Sequence, residues 1–256
     1  MIDIFLVYNY TIIIMFIISF FMKITYLSIF PELFDSFIST TLISRAVKNK
    51  KLKFETLNPR HFCDDKHRIV DDEIYGWWHG LLMKAPPIIA WVQHWITKHQ
   101  LTSKKNNKKR AIILPHPSTT VFNQAHAHTW SEYSHLLFIC GRYEWIDERV
   151  WLWLQREYPD HCYKVSLGQF VTLGGELPAM TMTESIVRLI PGVINTEMSW
   201  IDESYSIEHK LENIEYAQYT RPEIVEDMVV PDVLLSGHHK NIQQWKTENS
   251  KIVKFL

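Results

Sequence analysis

Glycine is scarce in this chain. Only 8 of the 256 residues are glycine, less than half the ~7% usual in proteins, while 10 are tryptophan. Cysteine is scarce too. Cys63, Cys140 and Cys162 are an odd number with no pairwise motif, which argues against a disulfide framework and for a reducing cytosol. Net charge is nearly absent, at −1, so any surface for nucleic acid must come from local clustering of basic residues. Disorder is excluded by composition, with 46% hydrophobic and 21% charged residues. The length suits one large domain, or a medium one with a small appendage. One long apolar run stands out, residues 4–21 (IFLVYNYTIIIMFIISFF), long enough for a membrane span. Tyr8, Asn9, Tyr10 and Thr11 interrupt it, no basic residue precedes it and no small-residue cleavage site follows.

The most informative stretch is Cys140-Gly141-Arg142-Tyr143-Glu144-Trp145-Ile146-Asp147-Glu148-Arg149-Val150. It follows Leu136-Leu137-Phe138-Ile139, an apolar run that reads as a buried parallel strand. A strand that ends in a Gly-polar-aromatic-acid turn and enters a charged helix marks the ligand-binding edge of an α/β sheet. A second tight turn follows in Ser166-Leu167-Gly168-Gln169-Phe170-Val171-Thr172-Leu173-Gly174-Gly175, before Glu176-Leu177-Pro178. Further strands are predicted at 23–29, 52–57 and 111–114, and helices from 30–37, at 86–98 and at 184–190, the last closed by Pro191-Gly192. The alternation predicts an α/β fold with a mostly parallel sheet. Residues 103–110 (SKKNNKKR) read as a basic connector, and 195–202 as a linker before a small, mainly helical second domain over 203–256.

Together the two glycine-bearing motifs resemble those of the bacterial tRNA (guanine-N1)-methyltransferases specific for guanosine 37, a family of the knotted SPOUT superfamily. The resemblance runs from Met22 to about Trp245. It implies a knotted methyltransferase domain over 22–194 with a deep trefoil knot, S-adenosylmethionine as methyl donor, tRNA as substrate and a cytoplasmic homodimer with sites between subunits. It implies three cofactor loops. The first falls at Leu114, Pro115, His116 and Pro117. The second runs from Gly141 through Tyr143 and Glu144 to Trp145, and the third from Ser166 through Gly175, with Pro178 shaping the pocket. Gln169 replaces a usual aspartate. For catalysis the resemblance points to Arg188 as the cation beside guanine O6, and to Glu203 or its neighbour Asp202 as the base at N1. RNA contacts are expected from Asn58, Arg60, His61, Lys66, His67 and Arg68, and from Arg221 in the second domain, since the guanine must leave its stack to expose N1. Relatives can use magnesium, and no residue here singles out a site for it. His126, His128, His238 and His239 come without a Cys-x-x-Cys or His-Glu-x-x-His pattern and read as surface or packing histidines.

Trp77, Trp78 and Trp145 fall where the resembled family has glycine. We expect these positions to reflect UGA codons that the source organism reads as glycine; UGG codons at 77, 78 and 145 would refute this. Since the resemblance starts at Met22, translation is expected to start there, leaving 1–21 as an apolar extension of misassigned origin and no membrane partner. Other readings stay open: an inactive RNA-binding relative if the tryptophans are genuine, an RNA methyltransferase with a different target, or a membrane-anchored protein if 1–21 is translated and inserted.

Overall fold

The computed structural model describes residues 21–76, 78–99, 109–117, 119–194, 203–206 and 212–252. The expectations for the apolar run, the basic connector up to 108, the linker 195–202, Trp77 and Asp202 lie outside these residues. The chain divides into two compact units, Met1–Asn195 and Thr196–Leu256.

In the first unit, five parallel strands form one sheet. These are β1 (Met22–Leu27), β2 (Leu52–Leu57), β5 (Arg110–Pro115), β6 (His135–Ile139) and β7 (Cys162–Val165), in the order β2-β1-β6-β5-β7. Every residue of β5 and β6 is buried, as expected of strands covered on both faces, which read as unbroken apolar runs rather than alternations. β7 was missed in the sequence because four residues, Cys-Tyr-Lys-Val, give too short a pattern. Between β2 and β5, Asp71–Ile74 (β3) and Trp78–Met83 (β4) make an antiparallel hairpin.

The helices follow ordinary signals. α1 (Asp35–Ile38) and α2 (Thr41–Lys48) follow a 3-10 turn led by Pro31. α3 (Ala85–His99) buries Ile88, Trp91, Val92, Trp95 and Ile96, a 3.6-residue stripe against the sheet. α4 (Gln124–Ser131) opens with a capping box between Asn123 and His126. α5 (Glu148–Glu157) is capped by Asp147, whose side chain accepts from the Arg149 amide. The helix expected at 184–190 is α6, which runs from Glu176 to Val187, eight residues earlier at its start. Pro178 obscured that start, yet a proline in a first turn removes no intrahelical hydrogen bond.

The second unit is not helical alone. Beside α7 (Asp232–Leu235) and α8 (His239–Asn249), it holds two small antiparallel ribbons. β8 (Asn213–Ile214) pairs with β11 (Lys251–Ile252), and β9 (Ile224–Val225) pairs with β10 (Met228–Val229). The second ribbon turns through Glu226 and Asp227, both at positive φ (48° and 63°), the pattern of a type I′ hairpin. Trp245 meets the rings of Tyr216 and Tyr219 at 5.9 and 6.4 Å. Among the described residues of this unit, only Ser206 is buried, so little apolar core holds it together.

Candidate functional site

The C-terminal ends of three adjacent strands, β6, β5 and β7, deliver three loops to one edge of the sheet, where ligands of open α/β sheets bind. β5 runs into His116, β6 into Cys140 and Gly141, and β7 into Ser166. Backbone hydrogen bonds tie the loops together. The His116 amide donates to the Val165 carbonyl (2.9 Å), the Phe122 amide to Ser166 (2.7 Å), and the Gly175 amide to Gly141 (2.9 Å). The hairpin closes on the middle loop: Glu144 N–H donates to the Leu81 carbonyl (3.0 Å), Met83 N–H to Trp145 (2.9 Å) and Asp147 N–H to Met83 (2.9 Å).

A cavity of about 130 Å³ opens among these loops. Pro115, His116 and Pro117 line it from the first loop, Gly141, Tyr143, Glu144 and Trp145 from the second, and Ser166, Leu167, Phe170, Val171, Thr172, Leu173, Gly174, Gly175 and Pro178 from the third and the start of α6. Three residues named from the sequence do not line it. Leu114 is buried in the core beneath, Gly168 turns at φ +151° and Gln169 is exposed. Val165, the last residue of β7, lines it unforeseen.

Crowding explains the glycine pair, by backbone at Gly175 and by the Arg142 and Glu176 side chains at Gly174. A Cβ on Gly175 would lie 2.9 Å from Cys140 Cα and 3.1 Å from Gly141 N, and one on Gly174 would meet Arg142 Nε at 2.4 Å. Behind the cavity, Glu176 is 1% exposed. It accepts from Ser28 Oγ (2.5 Å) and from Arg142 Nε (2.8 Å), while Arg142 lies over the Phe30 ring at 4.8 Å. This clasp joins the end of β1, the second loop and the first turn of α6, where an acid also complements the helix dipole. Sequence reasoning missed it; the only signal was an acid placed directly after Gly-Gly. Burial pushes the Cys140 thiol far above its usual range, and burial, then the nearby Lys164, lowers the His116 imidazole. Both are neutral at pH 7, which leaves Glu144 as an exposed acid on the cavity wall.

Arg188 does not line this cavity. It caps the C-terminus of α6 and lines a second one of about 380 Å³, with Phe37, Thr41, Leu42, Glu184 and Val193. Glu203 lies in the second unit. Of the residues expected to touch RNA, Asn58 caps the short helix Pro59–Phe62 and bonds the Ile29 carbonyl. Arg60 also donates to that carbonyl (3.1 Å). It stands beside the Tyr143 hydroxyl, whose pKa is raised by burial first and then by Asp71. His61, Lys66, His67 and Arg68 are exposed on the first unit, and Arg221 on the second. Among the described residues no group of three or more His, Cys, Asp or Glu side chains could hold a metal, and no helix is long and apolar enough to cross a membrane.

A family model described as "tRNA (Guanine-1)-methyltransferase TrmD" matches residues 22–254. Among curated proteins, the chain is similar to the tRNA (guanine-N(1)-)-methyltransferase of Staphylococcus haemolyticus (strain JCSC1435), at 39% identity over 231 residues, 90% of this chain and 86% of that one. The Staphylococcus aureus (strain JH9) protein of the same name matches at the same identity and coverage.

Proposed function

The chain belongs to the tRNA (guanine-1)-methyltransferase family, and from that premise we propose that it transfers a methyl group from S-adenosylmethionine to N1 of guanosine 37 in tRNA, beside the anticodon. One observation carries the assignment to this site. Three loops converge through backbone hydrogen bonds on a single cavity at the C-terminal edge of a parallel sheet. The residues fit such a cofactor in kind. Gly141, Gly174 and Gly175 line the cavity, and lacking side chains they leave the backbone of these loops open to close approach. Glu144 suits a ribose, and the apolar Phe170, Leu173 and Pro178 suit a base and a thioether. S-adenosylmethionine supplies the activated methyl group when bound.

The protein's own part is to bring guanine in, take the N1 proton and stabilise charge on O6. Arg188 is the proposed cation for O6, and Glu203 or Asp202 the proposed base. Since Arg188 lines a cavity other than the cofactor's, we infer that two copies of the chain complete each site. Exposed Phe170, Val171, Leu173 and Leu177 (57–91% exposed) form an apolar patch beside the cavity that a homodimer would cover. His61, Lys66, His67 and Arg68 are the proposed phosphate and base contacts, with Arg221 on the second unit. The trefoil knot, a magnesium ion in the reaction and a cytoplasmic setting belong to the same proposal.

The test is methyl transfer to a tRNA transcript carrying guanosine at 36 and 37, mapped by a primer-extension stop. A stop at 37 that depends on S-adenosylmethionine supports the assignment. A stop elsewhere makes the chain an RNA methyltransferase with a different target. One observation favours a second reading, an inactive RNA-binding relative: Trp145 lies on the wall of the cofactor cavity.

A further inference from the structure

The largest side chain on the wall of the cavity is that of Trp145. Trp145 has φ +140°, a region that L-residues with a Cβ rarely adopt and that glycine adopts freely. The loop cannot relax out of it cheaply, because the amides on either side are engaged. Glu144 N–H is bonded to Leu81, and the Trp145 carbonyl accepts from Met83. The indole lies against Gly141, so closely that a Cβ there would meet its Cε3 at 2.5 Å. It also meets the His116 ring edge-on, with centroids 4.8 Å apart. The ring therefore bridges the first and second loops, both of which line the cavity. What remains open is about 130 Å³, well below the ~300–1,000 Å³ usual for ligand pockets.

We propose that position 145 decides cofactor entry: the indole occupies space that a sulfonium nucleoside needs, in a loop whose backbone is shaped for glycine. This rests on the assignment of the cavity to S-adenosylmethionine. The backbone is already held in the conformation that glycine prefers, so replacing the side chain requires no rearrangement of the hairpin or of the bond between Gly141 and Gly175.

The experiment is calorimetric binding of S-adenosylhomocysteine, a stable ligand with the same nucleoside, to the printed chain, Trp145→Gly and Trp145→Ala. The glycine variant is expected to bind at least ~10-fold more tightly than the printed chain, about 1.4 kcal/mol. Alanine should fall between them, since it removes the ring and keeps the strained Cβ. Should the glycine variant fail to fold, the same comparison with alanine decides. Equal binding by the printed chain and the variants overturns the proposal and leaves the cavity assignment standing. Binding by none of them, with cooperative unfolding intact, overturns both.

Discussion

Replacing Glu176 with glutamine removes the anion from the clasp of Ser28, Glu176 and Arg142 and leaves its shape nearly unchanged. Glu176 is 1% exposed and the Arg142 side chain 19%, so the pair is shielded far more than a surface ion pair. Breaking a buried pair on one side costs about 3–5 kcal/mol, most of it the desolvation of the charge left behind. Three features pull the value to the lower end. Arg142 keeps some solvent, keeps its contact with the Phe30 ring, and the new amide oxygen still accepts one hydrogen bond. We expect a loss of about 2–3 kcal/mol, which at roughly 2 kcal/mol per molar urea lowers the unfolding midpoint by about 1–1.5 M. The double variant Arg142→Met/Glu176→Gln should regain at least half of that loss, because no uncompensated charge remains. Urea unfolding followed by tryptophan fluorescence measures all of these. A single variant within ~0.5 kcal/mol of the parent, the value expected of an exposed pair, would refute the clasp as a buried, coupled unit.

Gly175→Ala places a Cβ 2.9 Å from the Cys140 backbone, and overpacking of this kind costs about 1–3 kcal/mol. Because it also pushes apart the Gly141 and Gly175 loops, nucleoside binding should weaken more than the unfolding midpoint shifts, as calorimetry beside urea unfolding would show. The imidazole of buried His135 is pushed down to about 2 by burial first and then by His99, with Lys23, Arg110 and Lys98 adding to it. Burial and Lys23 lower His99 to about 4, against an opposing pull from Glu55. Both stay neutral in the fold while the unfolded chain takes up protons near 6.5. Stability is therefore fully present above about pH 6.5 and is lost as pH falls, down to about 4 for His99 and about 2 for His135. At pH 5 the loss is about 2 kcal/mol from His135 and less from the more exposed His99. A stability profile flat from pH 7 to 5 would contradict that assignment. Cys140 and Cys162 are buried and Cys63 only partly so, so a thiol reagent at pH 8 should label Cys63 first and Cys140 only on unfolding.

Most residues that line the cavity had been named through the family resemblance. The second and third loops carry glycines, and at Gly175 the backbone of Cys140 and Gly141 approaches too closely for a Cβ, a demand that only residue type can meet; the first loop, 114–117, carries none. The apolar runs of β5 and β6 announced themselves, since a strand buried on both faces has no polar positions to blur it. Strand β7 and the β3–β4 hairpin were not legible: four residues with one lysine, or a strand pair with a mostly exposed face, look like loop until neighbours cover them. Glu176 shows the limit most clearly. In sequence it is an acid after a Gly-Gly turn, and only the fold reveals that it opens a helix and that Ser28, 148 positions earlier, and Arg142 have closed over it. Arg188 shows the converse. The family resemblance suggested its chemistry, but the tertiary structure set it on a different cavity from the one the three loops line. The sequence by itself determined the mostly parallel sheet and the glycine-bearing turns after Ile139 and after Val165, because those follow from periodicity and backbone sterics, while the set of three loops came from the family resemblance. The tertiary structure alone decided which groups meet across the loops and how much space Trp145 leaves between them, because burial and distance are properties of the folded chain.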